Sequence, residues 1–393
     1  MNKFLLFISA VLTFGLFSCS DAPTEIGADL MPPGDNLTLQ TWNSLEHPIS
    51  QTSSYEVDTI SMNYSRAVLL GEVANDVKSH MLLKFFFYQS IPDSVLNALK
   101  ADSLTIISAS ISAPIIYRYG DGSEVNFSVH KITDNWSALD FTIDSLNSLV
   151  YDTQNDFISE EVTDTTFEFS FQPNMIYDWF WSEVVDSVKN YGIYLKPEGG
   201  NLVLGFPALT SSMTNSRMKL TCVVQKTNGF IDTLDFYSSA DVHVAERNIP
   251  LNETGKIILS GSAITRGKVK MDLTSLSQRI IVNKAVLKLF INEDETLQGS
   301  NPSDTLYFTM IKDSTGNVGD NPTEVIGSGD STHISANITK MVQKWLNHPE
   351  TNYGIRLRLS DEKTSVNKLV FYGSDYSDST KRPYLELVYT KMN

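Results

Sequence analysis

Cysteine occurs only twice in the 393 residues, at Cys19 and Cys222. A chain of this length with so little cysteine has no disulfide framework, so its stability has to come from buried apolar surface. Basic residues are also few: 30 Lys and Arg stand against 46 Asp and Glu, a formal net charge of −16. That balance excludes nucleic acid as an expected partner, because phosphate binding needs clustered cations. It also argues against peripheral electrostatic attachment to anionic lipid. Catalytic signatures are missing as well. No Gly-x-Ser-x-Gly elbow, P-loop or dinucleotide fingerprint stands out. The six histidines (His47, His80, His130, His243, His333 and His348) are scattered without a paired ligand spacing. With carboxylates this abundant, solvated Asp and Glu are the background. The reading is a non-enzyme, with no catalytic residue and no metal ligand assigned.

Long apolar runs are confined to one place. Met1-Asn2-Lys3 supplies a positive charge, and Phe4 to Phe17 is nearly unbroken apolar sequence. The run is too short to cross a bilayer comfortably and reads as a signal-peptide core over residues 1–18. Ser18-Cys19 directly after it resembles the bacterial lipobox, which implies lipidation at Cys19 and a membrane partner reached through an N-terminal lipid anchor. Several acyl chains on one residue give stable anchoring, since each buried CH₂ contributes about 0.8 kcal/mol. The expected location is the cell envelope, lipid-anchored at the outer membrane. Only Cys222 then remains in the folded part. Among Leu220, Val223 and Val224 it reads as a small buried apolar residue.

Residues 19–53 are rich in polar residues, Pro and Gly and read as a tether, with a first strand expected at Leu37 to Trp42. Its stretch from Glu25 to Pro32 resembles the start of surface lipoproteins from Bacteroidetes. Beyond it, strand signals dominate, including Ala67–Gly71, Met81–Tyr88, Leu104–Tyr117, Val125–Ile132, Phe167–Phe171, Ile280–Ile291 and Tyr384–Tyr389. Turn clusters such as Gly120-Asp121-Gly122-Ser123 separate them. The expected fold is all-β: two tandem jelly-roll-like antiparallel β-sandwiches, each with one short capping helix.

The tandem reading rests on a repeat. Asn190-Tyr191-Gly192-Ile193 returns as Asn352-Tyr353-Gly354-Ile355. Each copy follows a Trp-bearing stretch with helical spacing (Met175 to Val188, Ile338 to Leu346) and precedes an alternating terminal strand. Ile106 to Ile111 matches Ile281 to Leu287 in pattern, and Leu69-Leu70-Gly71 is set against Leu259-Ser260-Gly261. The junction is placed at Gln225 to Gly229, giving modules at 54–226 and 227–393. An amphipathic helix closes one end of each sandwich by burying Ile338, Met341, Val342 and Trp345, or Ile176, Trp179, Phe180, Val184 and Val188. Core packing is therefore preferred over a sugar-stacking role for these tryptophans.

From Ala240-Asp241-Val242-His243-Val244 through Lys268 to Leu276, Ala285 to Leu289, Ile338 to Leu346 and the closing Lys381-Arg382-Pro383-Tyr384-Leu385-Glu386-Leu387, the second copy resembles the DNRLRE-type module. The likeness covers residues 236 to 390. The first copy diverges, with Arg217-Met218 in place of Arg-Pro. The resemblance implies a β-sandwich of extracellular polysaccharide-related proteins, some of which bind acidic glycans. A binding surface is expected on loops. Tyr117, Tyr119 and Asp121, between two strong strands, and Trp136, after a strand end, are the carbohydrate-binding candidates. Ca²⁺ held by Asp121 and Glu124 is an alternative use of the same loop, and an ordinary hairpin turn is the plainest one. The functional expectation is a non-catalytic envelope lipoprotein binding polysaccharide or supporting an envelope-protein assembly. The alternative is a polysaccharide lyase or glycosidase with its site in a sandwich groove.

Overall fold

A computed structural model describes residues 39–49, 51–57, 60–87, 90–185, 187–211, 217–251, 255–276 and 279–391. Cys19 and the signal segment lie outside the described residues. Among the described residues no helix is long and apolar enough to cross a membrane.

Among the described residues the regular structure is mainly antiparallel strand. Two come first: β1 (Leu39–Asn43) and β2 (Gln51–Glu56). The next group holds β3 (Ala67–Val73), β4 (Val77–Phe85), helix α1 (Asp93–Lys100), β5 (Leu104–Pro114), β6 (Tyr117–Gly120) and β7 (Phe127–Lys131). It continues with α2 (Ile143–Asn147), β8 (Phe157–Val162), β9 (Thr166–Phe171), α3 (Asn174–Trp181), β10 (Ile193–Pro197), β11 (Asn201–Pro207) and β12 (Lys219–Lys226). A 17-residue strand, β13 (Ile231–Arg247), connects the halves. After it come β14 (Lys256–Ser260), β15 (Thr265–Lys270), β16 (Ile280–Phe290), β17 (Thr305–Met310), β18 (Glu324–Gly329) and β19 (His333–Asn337). Helix α4 (Thr339–Asn347), β20 (Ile355–Leu359), β21 (Lys368–Tyr372) and β22 (Tyr384–Lys391) complete the chain.

These strands form two sandwiches, each with its own core. Alternation does the work: in β12 the residues Leu220, Cys222 and Val224 point inward while their neighbours do not. Cys222 is fully buried, and burial pushes its thiol far above the ordinary range. Trp179 of α3 lies among Phe85, Phe87 and Phe171. Trp345 of α4 sits in the second core with Met341, Val342 and Ile338. Both helices therefore cap their sandwiches as the spacing predicts. However, α3 ends at Trp181, short of Val188, and two further helices, α1 and α2, belong to the first half.

The repeat is real in three dimensions. Gly192 and Gly354 both have positive φ (86° and 96°). Each precedes the strand that pairs with its sandwich's central hairpin, Ile193 opposite Leu83 and Ile355 opposite Val269. The side chains of Asn190 and Asn352 donate to the carbonyls of Phe85 and Met271, at 3.0 and 2.9 Å. β5 and β16 each carry a one-residue bulge against the last strand of their half, at Ile107 facing Val223 and Val224 in one and at Asn283 facing Val388 and Tyr389 in the other. The pairing Val68–Phe206 matches Ile257–Phe371. Leu70 is accordingly the counterpart of Leu259, one residue on from the match made in the sequence.

Three expectations change. The described end of the segment read as a tether (19–53) holds β1, close to the strand expected at Leu37 to Trp42, and the start of a second strand, β2, that was not expected. β1 pairs with β22 and β2 with β15, both in the second sandwich. Residues 231–247, assigned to the second module, pair with β12 and β4 of the first. Leu104–Tyr117 is two strands rather than one, because the ladder with β9 stops at Pro114 and the chain then turns to pair β6 with β11.

Candidate functional site

Comparing the repeats shows where the first one departs from its sibling. In the second sandwich β17 and β18 form a five-pair ladder, Thr305–Ser328 to Thr309–Glu324, which closes that corner of the sandwich. Their counterparts in the first sandwich are β7 and β8, the neighbours of β10 and β9. Residues 132–156 separate them, and they share no ladder. The first sandwich is closed instead at the corner where unbroken β13 passes from β12 to β4. The β7–β8 corner is left open.

At that corner lies a cleft of about 570 Å³, lined by residues of the 123–127 segment, Asn155, β8 and Glu198. Part of the β7 edge is met by the backbone of the connecting segment, with the Asp152 and Asp156 amides donating to the Lys131 and Val129 carbonyls, both at 2.8 Å, and side chains supply further hydrogen bonds. Glu160 Oε1 accepts from the Val125 amide at 3.0 Å, and Asn155 Oδ1 accepts from the Val129 amide at 3.0 Å. Phe157 and Phe127 meet edge to face with centroids 5.0 Å apart, giving the cleft an apolar wall. Glu198 receives a hydrogen bond from Ser128 Oγ at 2.8 Å and an ion pair from Lys196 at 3.1 Å. Burial raises its carboxyl, but these contacts outweigh that and hold it below the ordinary range. Glu160 behaves oppositely. Burial pushes it up to about 7, against the Val125 hydrogen bond, and Glu124 adds to the rise. Its second oxygen, Oε2, has no hydrogen-bond partner. A proton held at this oxygen near neutrality makes Glu160 a donor as well as an acceptor.

The residues singled out in the sequence are not brought together. Tyr117 and Tyr119 lie on a strand, not a loop, and both rings are buried between the two sandwiches. Tyr117 OH donates to Asn367 Oδ1 at 2.8 Å, and Tyr119 OH donates to Asp76. Neither ring is open to a sugar, which corrects the expectation of an exposed aromatic loop. Asp121 is exposed, does not line the cleft, and accepts from the Asn201 side chain. Trp136 is half-buried, donates to the Tyr191 carbonyl at 2.7 Å and packs edge-on to Phe141. It lines a separate hollow of about 250 Å³ with Asp134, Asn135 and Asp140, sharing no residue with the cleft. Among the described residues no group of three His, Cys, Asp or Glu side chains is placed to hold a metal ion.

Sequence reasoning missed Glu160, Phe157 and Glu198. Nothing local marks them: Glu160 is one carboxylate among many, and its significance comes from a ladder that is absent. The arrangement nearest to a nucleophile and base is Ser128 Oγ, 2.8 Å from His130 Nε2, with Nδ1 bonded to the carbonyls of Asp152 and Gln154 at 3.0 and 2.9 Å. Both residues are buried on β7, and Ser128 Oγ is also the donor to Glu198. No protein-family model matches the chain, and comparison with curated proteins gives no match.

Proposed function

We propose that this protein is a non-catalytic, lipid-anchored envelope protein whose first sandwich binds polysaccharide in the β7–β8 cleft. The observation that supports the reading is the cleft itself, present in one repeat where the other has a closed ladder. The partly exposed ring of Phe157, backed by buried Phe127 and set beside Asn126, Asn155 and Glu160, combines a face for sugar C–H groups with planar hydrogen-bonding side chains. Attachment through Cys19 and a place at the outer membrane rest on the lipobox-like start. The test is a glycan array followed by calorimetry on the hits, with Phe157→Ala and Glu160→Ala alongside. Binding that weakens roughly tenfold or more in both variants supports the reading. Absence of any binder would leave support of an envelope assembly as the role. Cys19→Ala should move the protein from the membrane to the soluble fraction, and an unchanged distribution counts against the anchor.

Glu160 carries a second reading, a polysaccharide-degrading enzyme, because a carboxyl that titrates near neutrality suits a general acid. New reducing ends or unsaturated products, lost in Glu160→Gln, would favour it.

A further inference from the structure

We infer that the two repeats exchange their leading strands, so that the chain is a strand-swapped pair of modules joined end to end and neither module is complete without the other. The exchange follows from the order of pairing. Leu83 of β4 is paired on one side with β10, through Ile193, and on the other with β13, through Asp241. Val269 of β15, its counterpart in the second repeat, has Ile355 of β20 on one side and Thr52 of β2 on the other. The seat that β2 takes against β15 is therefore the seat that the second half of β13 takes against β4. In the same way β1 lies on β22 as the first half of β13 lies on β12.

Side chains repeat the match. Asp241 stands opposite Leu83, and its Oδ2 accepts from the Leu209 amide at 2.7 Å. Thr52 stands opposite Val269, and its Oγ1 accepts from the Ser374 amide at 2.9 Å. Leu209 and Ser374 each lie three residues beyond a matched phenylalanine, Phe206 and Phe371. Both strand segments are thus the same part of the module. Yet in sequence each precedes the other sandwich's strands: residues 39–56 lead into β3 and complete the second sandwich, and residues 231–247 lead into β14 and complete the first. Trp42 accordingly lies in the second core, while Leu234 and Phe236 lie in the first. The surface each half offers is a strand acceptor, and its partner is the leading segment of the other copy.

The register supplies a test that does not depend on stability. Gln51 pairs with Lys270 and Ala240 with Lys84. If each repeat kept its own strand, the pairs would be Gln51 with Lys84 and Ala240 with Lys270. Full-length chains carrying two cysteines in each of the four combinations, with a protease site inserted in the 227–230 turn, would be oxidised, cut and run on a denaturing, non-reducing gel. Gly229 has nothing within 4 Å of an added Cβ, so the turn has room for the insertion. Exchange predicts that Gln51→Cys/Lys270→Cys and Lys84→Cys/Ala240→Cys each hold the two fragments together. Each of the other two pairs lies within a single fragment, and exchange predicts that both of its thiols stay unlinked and open to alkylation, read as a mass shift on that fragment. Cut but uncrosslinked protein should still run as one species on a native sizing column. Cross-links in the unexchanged pairs, failure of both exchange pairs to link a folded protein, or separation of the native fragments would each overturn the inference.

Discussion

A methyl group on Gly192 would lie 2.0 Å from the Leu83 carbonyl oxygen, and one on Gly354 would lie 2.5 Å from that of Val269. Both residues also have positive φ, which a side chain strains. Gly192→Ala and Gly354→Ala should each destabilise the fold by about 2–4 kcal/mol, measured by denaturant unfolding. A loss below about 0.5 kcal/mol in either would show that the turn relaxes. Glu160 tests a different residue-scale property. Its carboxyl is held at about 7 against an ordinary 4.5, so the folded state binds the proton more tightly than the unfolded one. Stability from this group is therefore greatest below pH 4.5 and falls as pH rises towards 7. Glu160→Gln keeps the acceptor for Val125 and removes the charge. It should melt higher than the parent at pH 8 and lose that advantage at pH 4, and a difference that does not vary with pH would refute the assignment. The glycine pair was legible in the sequence because four adjacent residues recur. Glu160 was not, because its character depends on a strand pairing that fails to form.

The strands and capping helices were read from local patterns, and local patterns explain what was found. Alternation marks β12 and β22, whose inner residues fall in one core each. Helical spacing marks Trp179 and Trp345. Replacing either tryptophan with Ala should cost about 3–5 kcal/mol through the cavity it leaves. Glycan binding measured below the unfolding transition should be unchanged. A selective loss of binding in either variant would instead make these rings part of a site. What local pattern does not supply is partnership. β8 has a weak alternation, Phe157 to Val162, and was missed. Tyr117 and Tyr119 alternate with polar residues as an exposed edge would, yet the second sandwich covers them. Their burial depends on residues such as Val366 and Asn367, roughly 250 positions away.

At the scale of the whole molecule, duplication was visible but exchange was not, since the sequence of a module is the same whichever copy its first strand joins. The exchange brings the two sandwiches into one unit, and a buried polar seam between them does the same. Arg247, at the end of β13, is almost wholly enclosed and spans the seam. Its guanidinium donates to Asp76 Oδ2 at 3.0 Å on the first sandwich. On the second it donates to Ser260 Oγ at 2.9 Å and the Val366 carbonyl at 2.7 Å. Removing the cation leaves the Asp76 carboxylate and two acceptors short of donors in a desolvated place, which generally costs about 3–5 kcal/mol for a buried pair. Lys368 Nζ, 3.9 Å from Asp76 Oδ1, and the Tyr119 hydroxyl offset part of that loss. Arg247→Met should therefore destabilise the chain by about 2–4 kcal/mol. Adding Asp76→Asn should recover a portion, because the unpaired charge goes with it. Equilibrium unfolding of the two single variants and the double variant measures the coupling. A double variant whose loss is the sum of the singles would mean that Arg247 and Asp76 act independently, and the seam would then be held by its apolar contacts and the exchanged strands alone.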